Sequence, residues 1–264
     1  MFKNVTLGCD PELFLYNPQE NTFHSVIGLI GGTKEQPRDI GNGCAVQEDN
    51  MAAEYCTPAT ANLSDWHTNH LYVQQWLEQE ANKHGLSLST KCTARFPHYQ
   101  YDNEAAWLFG CDPDFDASTG LENPAPKAND KYMRTAGGHI HIGYSTPDVV
   151  TTRKLMLMMD LIVGVPSIVL DTDTERRELY GKPSAHRIKP YGGEYRTLSN
   201  FWIHSEELRT WAFDETLRAV DMMKKVDELL TPQVVMACRA AINKCDKALA
   251  SFLIKRHGLN ALGA

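Results

Sequence analysis

The chain has 264 residues, of which 42% are hydrophobic and 22% charged. This composition is typical of a globular protein, and a chain of this length can bury a sizeable core without disulfide bonds. Its formal net charge of −7 excludes the strongly basic surface that holds a nucleic-acid backbone. The seven cysteines are odd in number and form no Cys-x-x-Cys pair, so we expect reduced, mostly buried thiols and a cytoplasmic protein.

No segment of the sequence predicts insertion into a membrane. The first residues, MFKNVTLGCDPELFLY, lead directly into a strand pattern and lack the layout of a signal peptide. The apolar stretch 155–170 is short and is interrupted by Asp160, Gly164 and Pro166. We therefore expect no membrane partner.

The first third of the chain reads as strands followed by one helix. The strand patterns include VTLGCDPELFLY and CAVQEDNMAAEYC. The helix is predicted from an N-cap at Ser64 to His84, with Gly85 as its C-cap. Residues 86–96 predict a further strand.

The segment 110–135 is rich in Asp, Pro, Asn and Gly and predicts a long loop. Loops of that length within a compact domain are usually functional or disordered. The remaining predicted elements are a strand over 138–144, a helix over about 147–163, a strand over 192–202, and two C-terminal helical stretches divided by Thr231 and Pro232.

This order of elements has no regular alternation of strand and helix. It favours an α+β protein with a largely antiparallel sheet. We expect one catalytic domain over residues 1–264, with the strands in 1–203 and helices in 204–264.

The motif GGHIHIG, residues 137–143, contains two histidines in a strand pattern. Residues i and i+2 of a strand point to the same side, so His139 and His141 share one face while Ile140 and Ile142 fill a core on the other. An isolated His-x-His pair is more often on a solvated sheet face than in a ligand site.

Two further strands carry polar pairs at the same spacing. Glu194 and Arg196 share a face in GGEYRTLSNFW, and Asp10 and Glu12 share a face in DPELFLY. Each pair alone could have a purely structural role, such as a cross-strand ion pair. Together they indicate a sheet face too polar for a core and too organised for an ordinary surface.

A fourth strand, VQEDNMAAEYC, adds more carboxylates. Strict alternation places Glu48, Asn50, Ala52 and Glu54 on one face, with room beside the small Ala52. Asp49 then points to the other face unless a bulge intervenes.

Carboxylates combined with imidazole and no cysteine suit a hard cation such as Mg²⁺ or Mn²⁺. Such ions are usually held together with substrate phosphates, whose remaining charge Lys34, Arg187 and Arg196 could neutralise. The glycines before Lys34 do not form a Walker loop, because the G-x-x-x-x-G-K-[ST] spacing is absent.

The combined motifs resemble a known family. The chain is similar to the phage-encoded carboxyl–amine (COOH–NH₂) ligases of type 2, within the glutamine synthetase and glutamate–cysteine ligase superfamily. The motifs that carry the resemblance are, in order, GCDPELFL, GGTKEQP, QEDNMAAEY, GGHIHIGY, RRELYG and GGEYRTLSNFW, spread over about residues 7–203.

The resemblance implies a glutamine synthetase-like fold, with a curved, largely antiparallel sheet and helices on its outer side. It implies ATP and Mg²⁺, or Mn²⁺, as cofactors. The implied reaction phosphorylates a carboxylate with ATP, and an amine then attacks the acyl phosphate to give an amide. The loop over 110–135 would be a lid that excludes water from this intermediate.

The resemblance also implies roles for individual residues. Glu12, Glu54, His139 and Glu194 match the metal ligands of the family. Lys34, His141 and Arg196 are assigned to ATP. Arg196, Arg187 and Asp49 are assigned to catalysis, with Asp49 or Glu48 accepting the proton of the incoming ammonium. Related ligases have Glu-x-Glu where this chain has Asp-Pro-Glu, so the role of Asp10 stays open.

Two other functions remain open at this point. One is a metal-dependent hydrolase that uses the same carboxylates and histidines to activate water. The other is a non-catalytic phage protein with a decayed site. The expected partners are a small amine and a small carboxylate, such as an amino acid or short peptide, and a homo-oligomer is compatible with the sequence.

Four residues of the first predicted helix have simpler explanations. His67 and His70 are expected at its surface or partly buried, because no acidic partner lies near them in sequence. Trp66 and Trp76 are expected in the core.

Overall fold

The structure is a computed structural model that describes residues 2–107, 113–124 and 130–263. Its strands are short and alternate with turns. They are β1 (Thr6–Cys9), β2 (Glu12–Leu13), β3 (Leu15–Asn17), β4 (Thr22–His24), β5 (Arg38–Gly41), β6 (Cys44–Asp49), β7 (Ala52–Cys56), β8 (Ser87–Leu88), β9 (Thr93–Arg95), β10 (Phe115–Asp116), β11 (Met133–Thr135), β12 (Ile140–Gly143), β13 (Ala185–Lys189) and β14 (Gly192–Tyr195).

The helices lie in the first third and in the second half of the chain. They are α1 (Leu63–Asn82), α2 (Val149–Met159), α3 (Val165–Leu170), α4 (Arg176–Leu179), α5 (Glu206–Met222), α6 (Val226–Leu229), α7 (Pro232–Lys244) and α8 (Lys247–His257). Within the described ranges, no helix has both the length and the apolar character needed to cross a membrane.

All strand pairs are antiparallel, which confirms the predicted α+β class. The strands form several small sheets where the sequence suggested one. A five-stranded sheet has the order β1-β12-β14-β13-β10, and a four-stranded sheet has the order β2-β7-β6-β5. The strands β4-β3-β8 and β11-β9 form two smaller sheets.

The chain passes from the five-stranded to the four-stranded sheet at Asp10 and Pro11. Cys9 is the last residue of β1, which pairs with β12, and Glu12 is the first residue of β2, which pairs with β7. Pro11 has no N–H to offer to a ladder, so it suits the point where one pairing ends. The crossing places neighbouring acidic residues on two different sheets.

Strands β6 and β7 form a hairpin around Asn50 and Met51, with Asn50 at a φ of 55°. Cross-strand partners share a face in a hairpin, so Asp49 lies on the face of its partner Ala52 and of Glu54. The prediction that Glu48 shares the face of Glu54 is therefore wrong. The prediction treated the segment as one continuous strand with strictly alternating side chains. The structure instead has a tight turn that separates β6 from β7 and reverses the chain.

Helix α1 begins earlier than predicted. Its N-cap is Asn62, whose side chain accepts hydrogen bonds from the N–H groups of Ser64 and Asp65, and the C-cap is Lys83. Ser64 and Gly85 were therefore wrong as caps. The predicted helix over 147–163 is also shorter as an α-helix, because a π-helical turn at Asp160–Gly164 separates α2 from α3.

The core contains the aromatic side chains of α1. Trp66 is buried and stacks on Trp202 at 5.4 Å between ring centroids. Trp76 is only half-buried, with the Arg38 guanidinium 4.8 Å from its ring centroid. His70 is fully buried, which contradicts the expected surface position, because Tyr55 supplies a hydrogen-bond partner from another element.

The segment 110–135 is not one structureless loop. It contains β10, β11 and an isolated bridge between Phe115 and Glu122. Residues 110–112 and 125–129 of the predicted lid lie outside the described residues. The predicted division of the C-terminal helical region at Thr231 and Pro232 is confirmed in the described residues, because α5 and α6 precede it and α7, whose N-cap is Thr231, and α8 follow it.

Candidate metal and substrate site

Three carboxylates converge on the four-stranded sheet. Glu12 lies directly opposite Glu54 in the β2–β7 ladder, and Asp49 stands on the same face of β6. A ligand oxygen of each carboxylate lies within 4.8 Å of the others. We call Glu12, Asp49 and Glu54 the acidic cluster.

Burial raises the pKa of every carboxyl in the acidic cluster. Burial, followed by the charge of Asp49, raises the pKa of Glu12 to about 7. The pKa of Glu54 is raised well above its ordinary value by burial and then by the neighbouring carboxylates, and burial also raises the pKa of Asp49. A cation bound among these oxygens would relieve their mutual repulsion.

A second set of ligands lies on the five-stranded sheet. His141 and Glu194 are opposite each other in the β12–β14 ladder, and Asp10 follows β1 on the other side of β12. Asp10, His141 and Glu194 offer ligand atoms within 4.8 Å of one another. We call these three residues the histidine cluster.

Glu194 is fully buried and lies among positive charges. Lys189 Nζ is 2.9 Å from Oε2 of Glu194, Arg187 Nη1 is 3.6 Å from Oε1, and Arg196 Nη1 donates a hydrogen bond to the same Oε1. Burial and the charge of Asp10 raise the pKa of Glu194. The nearby cations outweigh both effects, so this pKa lies below its ordinary value.

Two buried atoms of the histidine cluster lack hydrogen bonds. They are Nε2 of His141 and Oε2 of Glu194. Asp10 and Lys189 lie within 3.2 Å of them, but neither contact has hydrogen-bond geometry. Tyr191 Oη lies 2.9 Å from Nδ1 of His141 and fixes the ring. An imidazole nitrogen that makes no hydrogen bond and lies beside two carboxylates fits a divalent cation such as Mg²⁺ or Mn²⁺.

His139 lies between the two clusters. Its Nδ1 is 3.0 Å from Oδ1 of Asp10 and 3.2 Å from Nη1 of Arg196. Burial, with the charge of Arg196, lowers the pKa of His139 to about 4, so the imidazole is neutral at pH 7. Nε2 faces Gly137, where a Cβ atom would come within 2.6 Å.

Two cavities open on either side of these residues. The first, which we call the polar cavity, has a volume of about 200 Å³. Among its lining residues are Lys34, Gln47, Arg187 and Lys189, together with both acidic side chains Glu12 and Glu54. Its cations and carboxylates suit a polyphosphate held through metal ions.

The second cavity, which we call the mixed cavity, has a volume of about 60 Å³. Its apolar wall is formed by Phe14, Met51, Met133 and Leu179, and Arg176 is among its polar residues. The residues common to both cavities are Glu12, Asp49, His139 and Arg196. These shared residues form a wall on which the contents of the two cavities would meet.

The structure brings the predicted site residues to one region. All of them line the polar cavity or belong to the two clusters: Glu12, Lys34, Asp49, Glu54, His139, His141, Arg187, Glu194 and Arg196. Glu48, the alternative proton acceptor, lies outside this region. Its carboxylate accepts hydrogen bonds from the N–H groups of Gly28, Ile30 and Gly31 and so stabilises that loop.

Sequence reasoning missed several residues of the site. Lys189 was detectable, since it lies two residues after Arg187 on β13 and shares its face. Gln47, whose Nε2 donates to Glu54 at 3.1 Å, required the hairpin register. Arg176 lies on the short helix α4 and begins the motif RRELYG, but that motif did not assign it a role in the site.

The fold and the site together define an α+β protein with two groups of side chains that could hold a metal ion, beside two adjoining cavities. Residues 129–248 match the model of the family described as phage phiEco32-like COOH.NH2 ligase-type 2, which confirms the resemblance seen in the motifs. The matched segment includes the strands of His141 and Glu194 and stops short of those that carry Glu12 and Glu54.

Two solved structures are similar over most of this chain. One is described as "Apo GmaS without ligand", with 12% identity, coverage of 94% of this chain and 65% of that chain, and a TM-score of 0.44. The other is described as "Crystal structure of novel glutamine synthase homolog", with 12% identity, coverage of 95% and 63%, and a TM-score of 0.39. This chain thus spans slightly less than two thirds of either protein. No curated protein matches the sequence.

Proposed function

We propose that this protein is an ATP-dependent carboxylate–amine ligase that forms an amide bond through an acyl phosphate. The observation that carries the proposal is the wall shared by the two cavities. At this wall the polar cavity, whose cations and candidate metal ligands would suit a polyphosphate, adjoins a cavity with an apolar lining that would suit a small organic substrate. The match of residues 129–248 to a carboxyl–amine ligase family supports the same reaction.

The chemistry explains why such an enzyme would need ATP. A carboxylate is a poor electrophile, because an amine attacking it would have to expel oxide. One carboxylate oxygen instead attacks the γ-phosphorus of ATP, the bond from that phosphorus to the bridging oxygen breaks, and ADP leaves. The amine nitrogen then attacks the acyl carbon, the carbon–oxygen bond to phosphate breaks, and the nitrogen loses a proton.

The two clusters are the residues that would hold divalent cations. Glu12, Asp49 and Glu54 supply oxygens only, and His141 adds Nε2 beside Glu194. When bound, Mg²⁺ or Mn²⁺ would neutralise and orient the phosphate oxygens of ATP. Glu194 positions the basic side chains around it, because its carboxylate contacts three of them.

The basic residues of the polar cavity take the remaining phosphate charge. Lys34, Arg187 and Lys189 line that cavity and would bind ATP. Arg196 belongs to the shared wall, so its guanidinium can stabilise charge that develops while the phosphoryl group moves from one cavity toward the other. Arg196 is positioned by Glu194 and by Asp114, whose Oδ2 lies 3.5 Å from Nε.

We assign the proton of the incoming ammonium to Asp49. This carboxyl lines both cavities, and burial raises its pKa toward the range in which a carboxylate is an effective base. Glu48, the other candidate from the sequence, lies on the opposite face of the strand and is occupied by three backbone N–H groups.

The cellular setting follows from composition and cysteine chemistry. The cysteines in the described part of the chain are free thiols, in keeping with a reducing cytoplasm, which would be that of the host cell for a phage-encoded protein. We infer small amine and carboxylate substrates, because cavities of about 200 and 60 Å³ leave little room for larger ones. A homo-oligomer is compatible with this proposal.

The proposal is tested with hydroxylamine as a general amine. The full chain is incubated with Mg²⁺, ATP and a panel of amino acids and short peptides labelled with ¹⁸O in their carboxyl groups. A ligase yields a hydroxamate, and ¹⁸O appears in the released phosphate because a carboxylate oxygen becomes a phosphate oxygen.

The controls separate the other functions. Substrate cleavage that proceeds without ATP would identify a metal-dependent hydrolase. Failure to bind ATP–Mg²⁺ in calorimetry would identify a non-catalytic protein. ATP affinity that is equal with and without a chelator would contradict the role of the two clusters.

A further inference from the structure

The mixed cavity contains a buried guanidinium with no acidic partner. The side chain of Arg176 is 3% exposed, yet within the described part of the chain no carboxylate forms an ion pair with it. Its Nη1 donates a hydrogen bond to the carbonyl of Thr197 at 3.3 Å, and its Nε has no hydrogen-bond partner. Burying a charge in this way is costly unless something else compensates it.

Two glycines make room for this guanidinium. A Cβ on Gly181 would lie 2.6 Å from Nη1 of Arg176, and a Cβ on Gly137 would lie 3.1 Å from Nη2. Larger residues at either position would push the guanidinium away from its place. The chain therefore holds Arg176 at the edge of the mixed cavity, where the charge of Glu12 acts on it but no carboxylate of the described residues forms an ion pair with it.

The surroundings of Arg176 differ from those of the phosphate-compatible cavity. The described lining of the mixed cavity holds three arginines, Arg134, Arg176 and Arg196, but no lysine, and its apolar wall is formed by Phe14, Met51, Met133 and Leu179. Glu12 and Asp49, which also line it, would repel a highly charged anion. A single negative charge joined to an apolar group fits this combination, whereas a polyphosphate does not.

We infer that Arg176 anchors a carboxylate of the organic substrate, and that the apolar wall selects a substrate with an aliphatic or aromatic group. The planar fork of a guanidinium matches the two oxygens of a carboxylate. This inference rests on the proposed function, because it names the class of substrate that the ligase would take. The anchored carboxylate belongs either to an amino acid that supplies the amine or to a dicarboxylate that supplies the acyl group.

Calorimetry with simple probes tests the anchor without turnover. Hexanoate is titrated into the full chain, with acetate, hexylamine and inorganic phosphate as comparisons. Burial of four additional methylene groups should make hexanoate bind at least about tenfold more tightly than acetate. Hexylamine should not bind detectably. Equal affinity for acetate and hexanoate, or tighter binding of phosphate, would overturn the inference.

Variants connect this binding to Arg176. In Arg176→Gln, hexanoate affinity should fall by about tenfold or more, since the charge and the fork are both lost. Arg176→Lys keeps the charge and should show a smaller loss. Arg256→Gln, on the exposed surface of α8, is the matched control and should bind hexanoate as the wild type does. Wild-type affinity in Arg176→Gln would overturn the inference, and if that variant does not fold, wild-type affinity in Arg176→Lys would do so.

Two further measurements show which substrate carries the anchored carboxylate, and whether the anchor and the ligase function stand or fail separately. Tighter binding of norleucine than of glutarate identifies the anchored molecule as the amine substrate, and the reverse order identifies the acyl substrate. ATP–Mg²⁺ is titrated into the same samples. If hexanoate binds through Arg176 while ATP–Mg²⁺ does not bind at all, the ligase function fails and the carboxylate anchor stands. If ATP–Mg²⁺ binds and hexanoate does not, the anchor alone fails.

Discussion

Glu12 and Gly137 are hydrogen-bonded to each other twice. The backbone N–H of Glu12 donates to the carbonyl of Gly137 at 2.9 Å, and the N–H of Gly137 donates to Oε2 of Glu12 at 2.7 Å. The carboxylate of the acidic cluster is therefore oriented by the loop that leads into the strand of His139. A change at Gly137 should disturb both the acidic cluster and that histidine.

Gly137→Ala is expected to lower turnover by about tenfold or more, because misplaced catalytic groups are costly. The new Cβ would lie 2.6 Å from Nε2 of His139 and displace the ring. Gly85→Ala is the matched control. It has open space but a φ of +71°, so it should lower the melting temperature and leave turnover unchanged. Unchanged turnover in Gly137→Ala would contradict the role given to this loop.

Glu54→Gln and Glu48→Gln should have opposite effects, although both remove a carboxylate from the same hairpin. Removing Glu54 relieves the buried repulsion that raises its pKa, so the melting temperature without metal should rise by a few degrees. The further rise normally produced by Mg²⁺ should disappear. Glu48→Gln loses charge-assisted hydrogen bonds from three N–H groups and should cost about 1–3 kcal/mol of stability.

Thermal melts of both variants with and without Mg²⁺ and ATP provide the measurement. ATP–Mg²⁺ binding should be lost only in Glu54→Gln. A Mg²⁺-dependent stabilisation of wild-type size in Glu54→Gln would remove this residue from the acidic cluster's ligand set.

Arg196→Lys should reduce turnover by about 10²–10³-fold and weaken ATP binding far less. Lysine keeps the charge but cannot hold Glu194, Asp114 and the phosphoryl oxygens with one planar group. Steady-state kinetics and calorimetry are done on the same preparation. If the variant shows a lower melting temperature with near-normal turnover, Arg196 supports the strand and does not take part in the reaction.

His70 should make the protein less stable in acid. Burial lowers its pKa to about 3, while its pKa in the unfolded chain is near 6.5. The unfolded chain therefore takes up a proton that the folded protein excludes, and stability falls as the pH drops from about 6.5 toward 3. The full effect is on the order of 4–5 kcal/mol.

Urea unfolding of wild type and His70→Gln between pH 4.5 and 7.5 measures this contribution. The variant loses the contact between His70 Nδ1 and Tyr55 Oη, which are 2.7 Å apart, so it should be less stable at pH 7.5. The difference between the two proteins should shrink as the pH falls. A constant difference across this range would show that His70 does not titrate as its burial implies.

The segment 113–124 contacts the site and should become protected when ATP binds. Asp114 pairs with Arg196, and the carbonyl of Pro113 accepts a hydrogen bond from Nε of Arg187 at 3.3 Å. Cleavage by a glutamate-specific protease after Glu122 should slow several-fold in ATP–Mg²⁺. Cleavage after Glu20, in an exposed turn on another sheet, is the internal control. Equal rates at Glu122 with and without ligand would argue against a lid.

The parts of the site that sequence could reveal are those on uninterrupted strands. Alternation alone placed His139 with His141 and Glu194 with Arg196. Both histidines do contact Asp10, and Arg196 donates a hydrogen bond to Glu194. The same rule failed at Asp49, because a two-residue turn reverses the chain and changes which neighbours share a face.

Long-range packing could not be predicted in this way. Arg176 lies on a four-residue helix with no periodic pattern, and only the folded chain shows that it reaches the cavity beside Glu12. The division into several sheets was also missed. A proline at a strand start predicts an interruption, but it does not say that the chain continues on a different sheet.

The crossing at Pro11 restricts how the length of this chain can vary. Asp10 and Glu12 are separated by one residue, yet one serves the histidine cluster on the first sheet and the other the acidic cluster on the second. One inserted residue would move either carboxylate along its strand by about 3.3 Å and turn it to the wrong face. The exposed turn at Asn42 and Gly43 bears no such restriction, so insertions and deletions should accumulate there, whereas the crossing keeps a fixed length.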